Sequence, residues 1–269
     1  MVKSADSKIQ PVDLILYKSR GEKIVCLTAY DFRTAQIVDS AGIDLILVGD
    51  SLANVFAGCN NTYEIGMTEM VYHTKVVSRG IKKALLVADM PFLSFQVSVE
   101  EALKNASELL KAGAKAIKLE GATELTLKIV EKLTEIGIPV VGHLGYTPQS
   151  AGVLGIGKVQ GRTQSSAQDI FEQARSLEMA GAIALVLELI PQELASQITQ
   201  SLRIPTIGIG AGLGCDGQIL VIDDMLGKTD LNLKFVKKYL DLEKEMRRAL
   251  LAYASDVRSE RFPEENNSF

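Results

Sequence analysis

Ala-Gly-Ile-Asp-Leu-Ile-Leu-Val-Gly-Asp, residues 41–50, decides the fold of this chain. It sets a helix-stopping glycine, Gly42, ahead of a short apolar run and closes that run with a carboxylate, Asp50. The pattern returns twice. Ala112 and Gly113 precede Lys-Ala-Ile-Lys-Leu-Glu (115–120), and Ala180 and Gly181 precede Ile-Ala-Leu-Val-Leu-Glu (183–188). Glycine supplies the left-handed backbone on which helices end, and an apolar run this short suits a strand buried on both faces. The repeating unit is therefore helix, glycine stop, strand, acid. Further strand-like runs occupy residues 23–28, 84–88, 139–142 and 206–209. An eighth candidate covers 218–222, where the gap after Gly212 is too short for an ordinary helix and the run reads equally as the start of one.

Helical patterns lie between these runs, at 32–40, 68–79, 99–111, 124–136, 167–179 and 192–202, with a last one at 234–253. Alternating strands and helices make a parallel sheet, and eight units close as a (β/α)8 barrel of the TIM type. An open doubly wound sheet would carry G-x-G-x-x-G after its first strand, whereas this chain has Thr28-Ala29-Tyr30-Asp31 there. The expectation is an α/β chain forming one barrel domain over residues 1–269, with an N-terminal extension to about residue 20 and a polar tail from about 258. Two strand-to-helix connections, 51–67 and 146–166, are long and carry glycines, so they are candidate lids on the face where barrel active sites are built.

Composition narrows the function. The 269 residues carry 29 Lys+Arg against 33 Asp+Glu, a net charge of −4, which offers no electrostatic footprint for nucleic acid or an anionic membrane surface. No apolar run reaches the length of a membrane helix, and residues 1–20 hold only a short apolar patch at 14–17, with no cleavage-site pattern. The expected partners are small molecules, and the expected location is the cytoplasm. Cys26, Cys59 and Cys215 are odd in number and far apart, which excludes a disulfide framework and a cysteine metal cluster.

In a barrel all strands point the same way, so residues ending different strands meet around one mouth. Here Asp50, Asp89, Glu120, His143 and Glu188 end strands two to six. A single such acid usually caps a helix; five consecutive strands ending in ionisable groups are hard to explain as caps. Lys118 and Glu120 lie two apart and so share a face, as a structural ion pair or as part of a site, and spacing alone does not choose. Oxygen ligands without cysteines favour a hard cation such as Mg²⁺, with Asp50 and Asp89 the first candidates. Such an ion could chelate a 2-oxo acid and stabilise its enolate, with Glu188 or His143 moving the proton. His143 also reads as a structural histidine and is given a supporting role. Gly208-Ile209-Gly210-Ala211-Gly212 could cradle a phosphate or simply make a tight turn.

Several segments carry a resemblance to a known family: Thr-Ala-Tyr-Asp (28–31), Val-Gly-Asp-Ser-Leu (48–52), Tyr-His-Thr (72–74), Ala-Asp-Met-Pro-Phe (88–92), Lys-Leu-Glu-Gly (118–121), Gly-His-Leu-Gly-Tyr-Thr-Pro-Gln-Ser (142–150), Lys-Val-Gln-Gly-Arg (158–162), residues 208–212, and Asp-Gly-Gln-Ile-Leu-Val (216–221). Over nearly its whole length the sequence resembles the ketopantoate hydroxymethyltransferases. That resemblance implies a Mg²⁺-dependent barrel enzyme of pantothenate synthesis. The reaction it implies adds a one-carbon unit from 5,10-methylenetetrahydrofolate, the co-substrate, to 3-methyl-2-oxobutanoate and gives 2-dehydropantoate. It places the metal ligands on Asp50, Asp89 and Glu120, the 2-oxo acid contacts on Asp50, Ser51, Asp89 and Lys118, and the catalytic base on Glu188. A decameric homo-oligomer is implied as well. The sequence departs from the family at 57–67, where a His-Asp-Ser-Thr-Leu-Pro type run is more usual, at Ala122, which replaces a glycine, and at Gly157, where tyrosine is common. Two rivals keep the barrel. One is a phosphoenolpyruvate mutase or isocitrate lyase relative, whose Lys-Lys-Cys-Gly-His type motif is absent here; the other is a barrel that has lost its chemistry, against which the full acidic set speaks.

Overall fold

A computed structural model describes residues 8–269, and the chain divides after Val221 into two compact units. The first unit is a closed barrel of eight parallel strands in the order β1 to β8, with β8 pairing back onto β1. In chain order its elements are α1 (Asp13–Arg20), β1 (Ile24–Thr28), α2 (Phe32–Ser40), β2 (Leu45–Val48), α3 (Leu52–Val55), α4 (Met67–Ser78), β3 (Leu85–Asp89), α5 (Val99–Lys111), β4 (Ala116–Glu120), α6 (Glu124–Glu135), β5 (Val140–Gly145), α7 (Ala151–Leu154), α8 (Gln164–Met179), β6 (Ala184–Glu188), α9 (Gln192–Ser201), β7 (Thr206–Ile209) and β8 (Gly217–Leu220). The second unit holds α10 (Ile222–Met225) and α11 (Leu242–Arg258).

The local chemistry explains the boundaries. Asp31, Ser98 and Thr123 each accept the N–H three residues on, capping α2, α5 and α6. The glycines of the threefold pattern follow their helices with φ of +83° at Gly42, +119° at Gly113 and +100° at Gly181, as a helix stop requires.

Strand parity then builds the interior. Cys26, Leu45, Leu47, Leu85, Val87, Ala116, Val141, Ala184, Val186, Ile207 and Ile219 form the core inside the barrel, joined by Leu14 of α1. Alternate residues such as Ile46, Leu86, Ile117 and Leu185 are buried on the outer face against the helices. Two residues beyond the last apolar layer, the same inward parity delivers Asp89 on β3, Lys118 and Glu120 on β4, His143 on β5 and Glu188 on β6.

The apolar patch at 14–17 belongs to α1, whose Leu14 is fully buried in the barrel core and whose Tyr17 hydroxyl donates to Asp44. Two expectations need correction. The eighth strand is Gly217–Leu220, one residue earlier than expected, and Ile222 does begin a helix. The helix expected over 234–253 starts only at Leu242, because the N–H groups of Tyr239 and Leu242 donate to the carbonyls of Met225 and Leu226 and Asp241 caps Lys244. Those hydrogen bonds take up donors that a helix beginning at 234 would have used.

Candidate active site

Strand register places the charged residues side by side: Asp89 opposite Lys118, Glu120 opposite His143, and Gly145 opposite Glu188. Lys118 Nζ lies 2.8 Å from Asp89 Oδ1, 4.0 Å from Glu120 Oε1 and 3.3 Å from His143 Nδ1. The imidazole bridges two carboxylates, with Nδ1 3.4 Å from Glu120 Oε1 and Nε2 3.3 Å from Glu188 Oε2. Asp50 stands just beyond β2, and its N–H donates to Asp89 Oδ2 at 3.0 Å. A Cβ at Gly49 would press on the Ser51 hydroxyl at 2.9 Å while only touching Asp89 Oδ2 at 3.5 Å, so the glycine leaves room for the Ser51 side chain. Ser51 Oγ in turn shares a 2.8 Å hydrogen bond with the Tyr30 hydroxyl.

The cluster is dry. The Asp89, Lys118, Glu120 and His143 side chains are 2–5% exposed, whereas Glu188 is 16% exposed and is the acid reachable from the mouth. Burial, reinforced by the charges of Asp89 and Glu120, pushes the Asp50 carboxyl up to about 8 against the pull of Lys118 and a hydrogen bond from Gln149. Burial raises Asp89 as well, outweighing Lys118. Glu120 is the exception: burial works to raise it, but the contacts with His143, Lys118 and the Gln149 N–H hold it below the usual carboxylate range. Burial and Lys118 work to lower His143, and its contacts with Glu120 and Glu188 overcome them, lifting the imidazole to about 9. Burial also opposes the Lys118 charge, yet Asp89, Glu120 and Asp50 together hold the ammonium firmly protonated.

All seven sequence-derived residues fall at this one mouth: Asp50, Asp89, Lys118, Glu120 and His143 are linked by the contacts above, Glu188 is joined through His143, and Ser51 follows Asp50 in the chain with its hydroxyl bonded to Tyr30. The sequence reading missed Gln149. Its side chain donates to Asp50 Oδ2 and its backbone N–H to Glu120 Oε2. Gln149 lies in the quoted segment 142–150, but it follows the strand, where parity no longer says which way a side chain faces. Gly208 and Ile209 end β7, residues 210–212 bend away with Gly212 O accepting from the Gln218 side chain, and the connection leads into β8 without an intervening helix among the described residues.

The arrangement suits a hard cation. Three buried carboxylates face one lysine, and Asp89 Oδ1 and Glu120 Oε1 have charged neighbours but no aligned hydrogen-bond donor. Among the described residues no three Asp, Glu, His or Cys side chains are gathered closely enough to enclose a metal ion. A site of one or two carboxylates completed by water and ligand does not need such an enclosure.

The ketopantoate hydroxymethyltransferase family model matches residues 8–265. Among similar proteins, the 3-methyl-2-oxobutanoate hydroxymethyltransferase of Thermoanaerobacter sp. (strain X514) is 52% identical over 266 residues, covering 98% of this chain and 97% of that protein. The enzyme of that name from Syntrophus aciditrophicus (strain SB) is 50% identical over 254 residues, covering 94% and 93%. Solved structures share the fold at low identity. A 2,3-dimethylmalate lyase of the PEP mutase/isocitrate lyase superfamily superposes with a TM-score of 0.62 at 16% identity, covering 93% of this chain and 89% of its own. A phosphonopyruvate hydrolase in complex with oxalate and Mg²⁺ gives 0.62 at 13%, covering 96% and 93%.

Proposed function

The chain belongs to the ketopantoate hydroxymethyltransferase family, and from that premise we propose that it transfers a one-carbon unit from 5,10-methylenetetrahydrofolate to 3-methyl-2-oxobutanoate, giving 2-dehydropantoate at the entry to pantothenate synthesis. The observation that carries this reading is the partly exposed Glu188 carboxylate held beside His143, at the rim of a buried acid and lysine cluster.

Mg²⁺ fits the donor set, and Asp50, Asp89 and Glu120 are the residues that would hold it. When bound, it supplies Lewis-acid polarisation of a 2-oxo acid. Lys118 faces the same place with a fixed positive charge and is the natural partner of the substrate carboxylate. Ser51, fixed by Tyr30, offers a hydroxyl to the same ligand. The Glu188 carboxylate takes the proton from C3 of the keto acid, and the electron pair left on C3 adds to the donor's methylene carbon, which is at the formaldehyde level. Water supplies the hydroxyl to that carbon as its two C–N bonds break, and the C3 proton and the remaining water proton end on the two folate nitrogens, so that tetrahydrofolate leaves. His143 stands beside Glu188, with Nε2 3.3 Å from Oε2, and has the supporting role of an electrostatic neighbour to the base.

A homo-oligomer is part of the proposal, a decamer by resemblance. Leu242, Met246, Leu250, Tyr253 and Val257 form one stripe along α11, a helix with no buried residue in the described chain. No helix of the described residues is long and apolar enough to cross a membrane, and all three cysteines are free, which supports a cytoplasmic setting.

The test is proton NMR in D₂O with 3-methyl-2-oxobutanoate, Mg²⁺ and methylenetetrahydrofolate, with an EDTA control. Loss of the C3 proton signal and formation of 2-dehydropantoate, both abolished by EDTA, are expected. Absence of both would overturn the reading. Exchange without product would leave proton removal standing and require a different one-carbon donor.

A further inference from the structure

Residues 148–150 of the second long loop form a short turn, and Gln149 in that turn is buried. Its amide orientation is settled by its neighbours. Met90 O at 2.9 Å and Asp50 Oδ2 at 3.0 Å both accept, so Nε2 faces them, and Oε1 is left to accept from Gln96 Nε2 at 2.8 Å. Gln96 is oriented the same way, its own Oε1 accepting from the Phe95 N–H at 3.4 Å. The hydrogen bonds therefore run in one direction, from the Phe95 backbone through two amides to the Asp50 carboxylate. A second donor from the same residue, the Gln149 backbone N–H, reaches Glu120 Oε2 at 2.9 Å.

We propose that Gln149 is a positioning residue for the acidic site: it fixes the free oxygens of Asp50 and Glu120 toward a divalent cation and makes seating of the 146–162 loop and cation binding one event. The proposal rests on the reading of Asp50 and Glu120 as cation ligands. An amide is the suitable group. A lysine at 149 would pair with Asp50 and compete with the cation; a glutamate would turn a donor into a fourth buried negative charge facing Asp50 and the Met90 carbonyl. Glutamine supplies donors without charge, and each carboxylate keeps one oxygen turned away from it. Groups that orient metal ligands in this way typically carry about 10- to 100-fold of the metal affinity.

The test uses the full chain and Mg²⁺ alone as probe. Isothermal titration without keto acid measures affinity, and trypsin cleavage after the exposed Lys158 and Arg162 reports loop seating. In the parent, Mg²⁺ should slow that cleavage. Gln149→Ala should weaken Mg²⁺ binding about tenfold and Gln149→Glu by more, and in both the protection of the loop by Mg²⁺ should be lost. Gln96→Glu touches neither carboxylate and cannot donate to Gln149 Oε1; a smaller loss of the same sign is expected. It serves as the second reading should a Gln149 variant fold poorly. Parent-like affinity and protection in Gln149→Ala, or in Gln96→Glu if that variant alone is folded, would overturn the role of Gln149 while leaving the transferase reading intact. Failure of the parent to bind Mg²⁺ would remove the metal reading and this inference together.

Discussion

Gly145→Ala tests whether the last residue of β5 is glycine because the backbone of β6 leaves no room for more. Gly145 has φ +94°, and a Cβ built on it would lie 2.1 Å from Glu188 O and 2.7 Å from Ile190 Cγ2. The nearest atom is backbone, so no rotamer relieves the clash. The left-handed conformation costs a non-glycine residue about 1–2 kcal/mol, and forced overpacking about 1–3 kcal/mol more. Strain on the 2.8 Å hydrogen bond from the Tyr146 N–H to Glu188 O adds up to about 1 kcal/mol. The expected destabilisation is about 3 kcal/mol, which for a chain of this size lowers the melting temperature by roughly 6–12 °C. Activity should fall further than stability explains, because the backbone that must shift is that of Glu188, and a displacement of about 1 Å at a reacting group can cost about 100-fold. The assay is thermal melting beside C3-proton exchange at a temperature where the variant is folded. Gly152→Ala is the control: no atom lies within 4 Å of its added Cβ, the residue is in α7, and stability should hold or rise slightly. If Gly145→Ala melted within about 2 °C of the parent, the close-approach argument would be wrong.

Glu188→Gln keeps the shape of the side chain beside His143 but removes the base; C3 exchange should drop at least about 100-fold with keto-acid binding little changed, and parent-like exchange would exclude Glu188 as the base. Asp39→Asn should destabilise the barrel by about 2–3 kcal/mol in urea unfolding, since the buried carboxylate accepts the N–H groups of Lys82, Lys83 and Ala84 and an amide can offer only one oxygen to them. Burial and Asp44 push the Tyr17 hydroxyl up to about 12. A phenol whose folded pKa exceeds its unfolded value of about 10 adds stability that is complete below that value and is lost as the pH rises toward 12. Burial raises the Tyr146 phenol as well, so an absorbance titration should show a late component that Tyr17→Phe reduces by one tyrosinate, and the stability difference between parent and variant should shrink over that interval.

Much of the site was legible because strand parity is local. Once residues 116–120 are a strand with Ala116 in the core, Lys118 and Glu120 must face inward as well, and the same argument holds for Asp89, His143 and Glu188. The glycine stops and the barrel count followed from turn chemistry and length in the same way. Residues 234–241 show the limit. Their apolar spacing is helical, yet their hydrogen bonds go to the end of α10, and a nearest-neighbour pattern does not record a competing partner.

By itself, then, the sequence determined a parallel barrel, the strand ends that carry charge, and the family to which those residues belong. The tertiary structure decided what those charges are to one another. Register sets Asp89 beside Lys118 and Glu120 beside His143, so the lysine that spacing left open between a structural pair and a site residue sits among three acids. Gln149 reaches Asp50 from 99 residues away in sequence. The reason is physical: inward and outward facing is fixed by two successive dihedrals, whereas distances between strand ends, burial and the resulting pKa values exist only once the barrel has closed and excluded water.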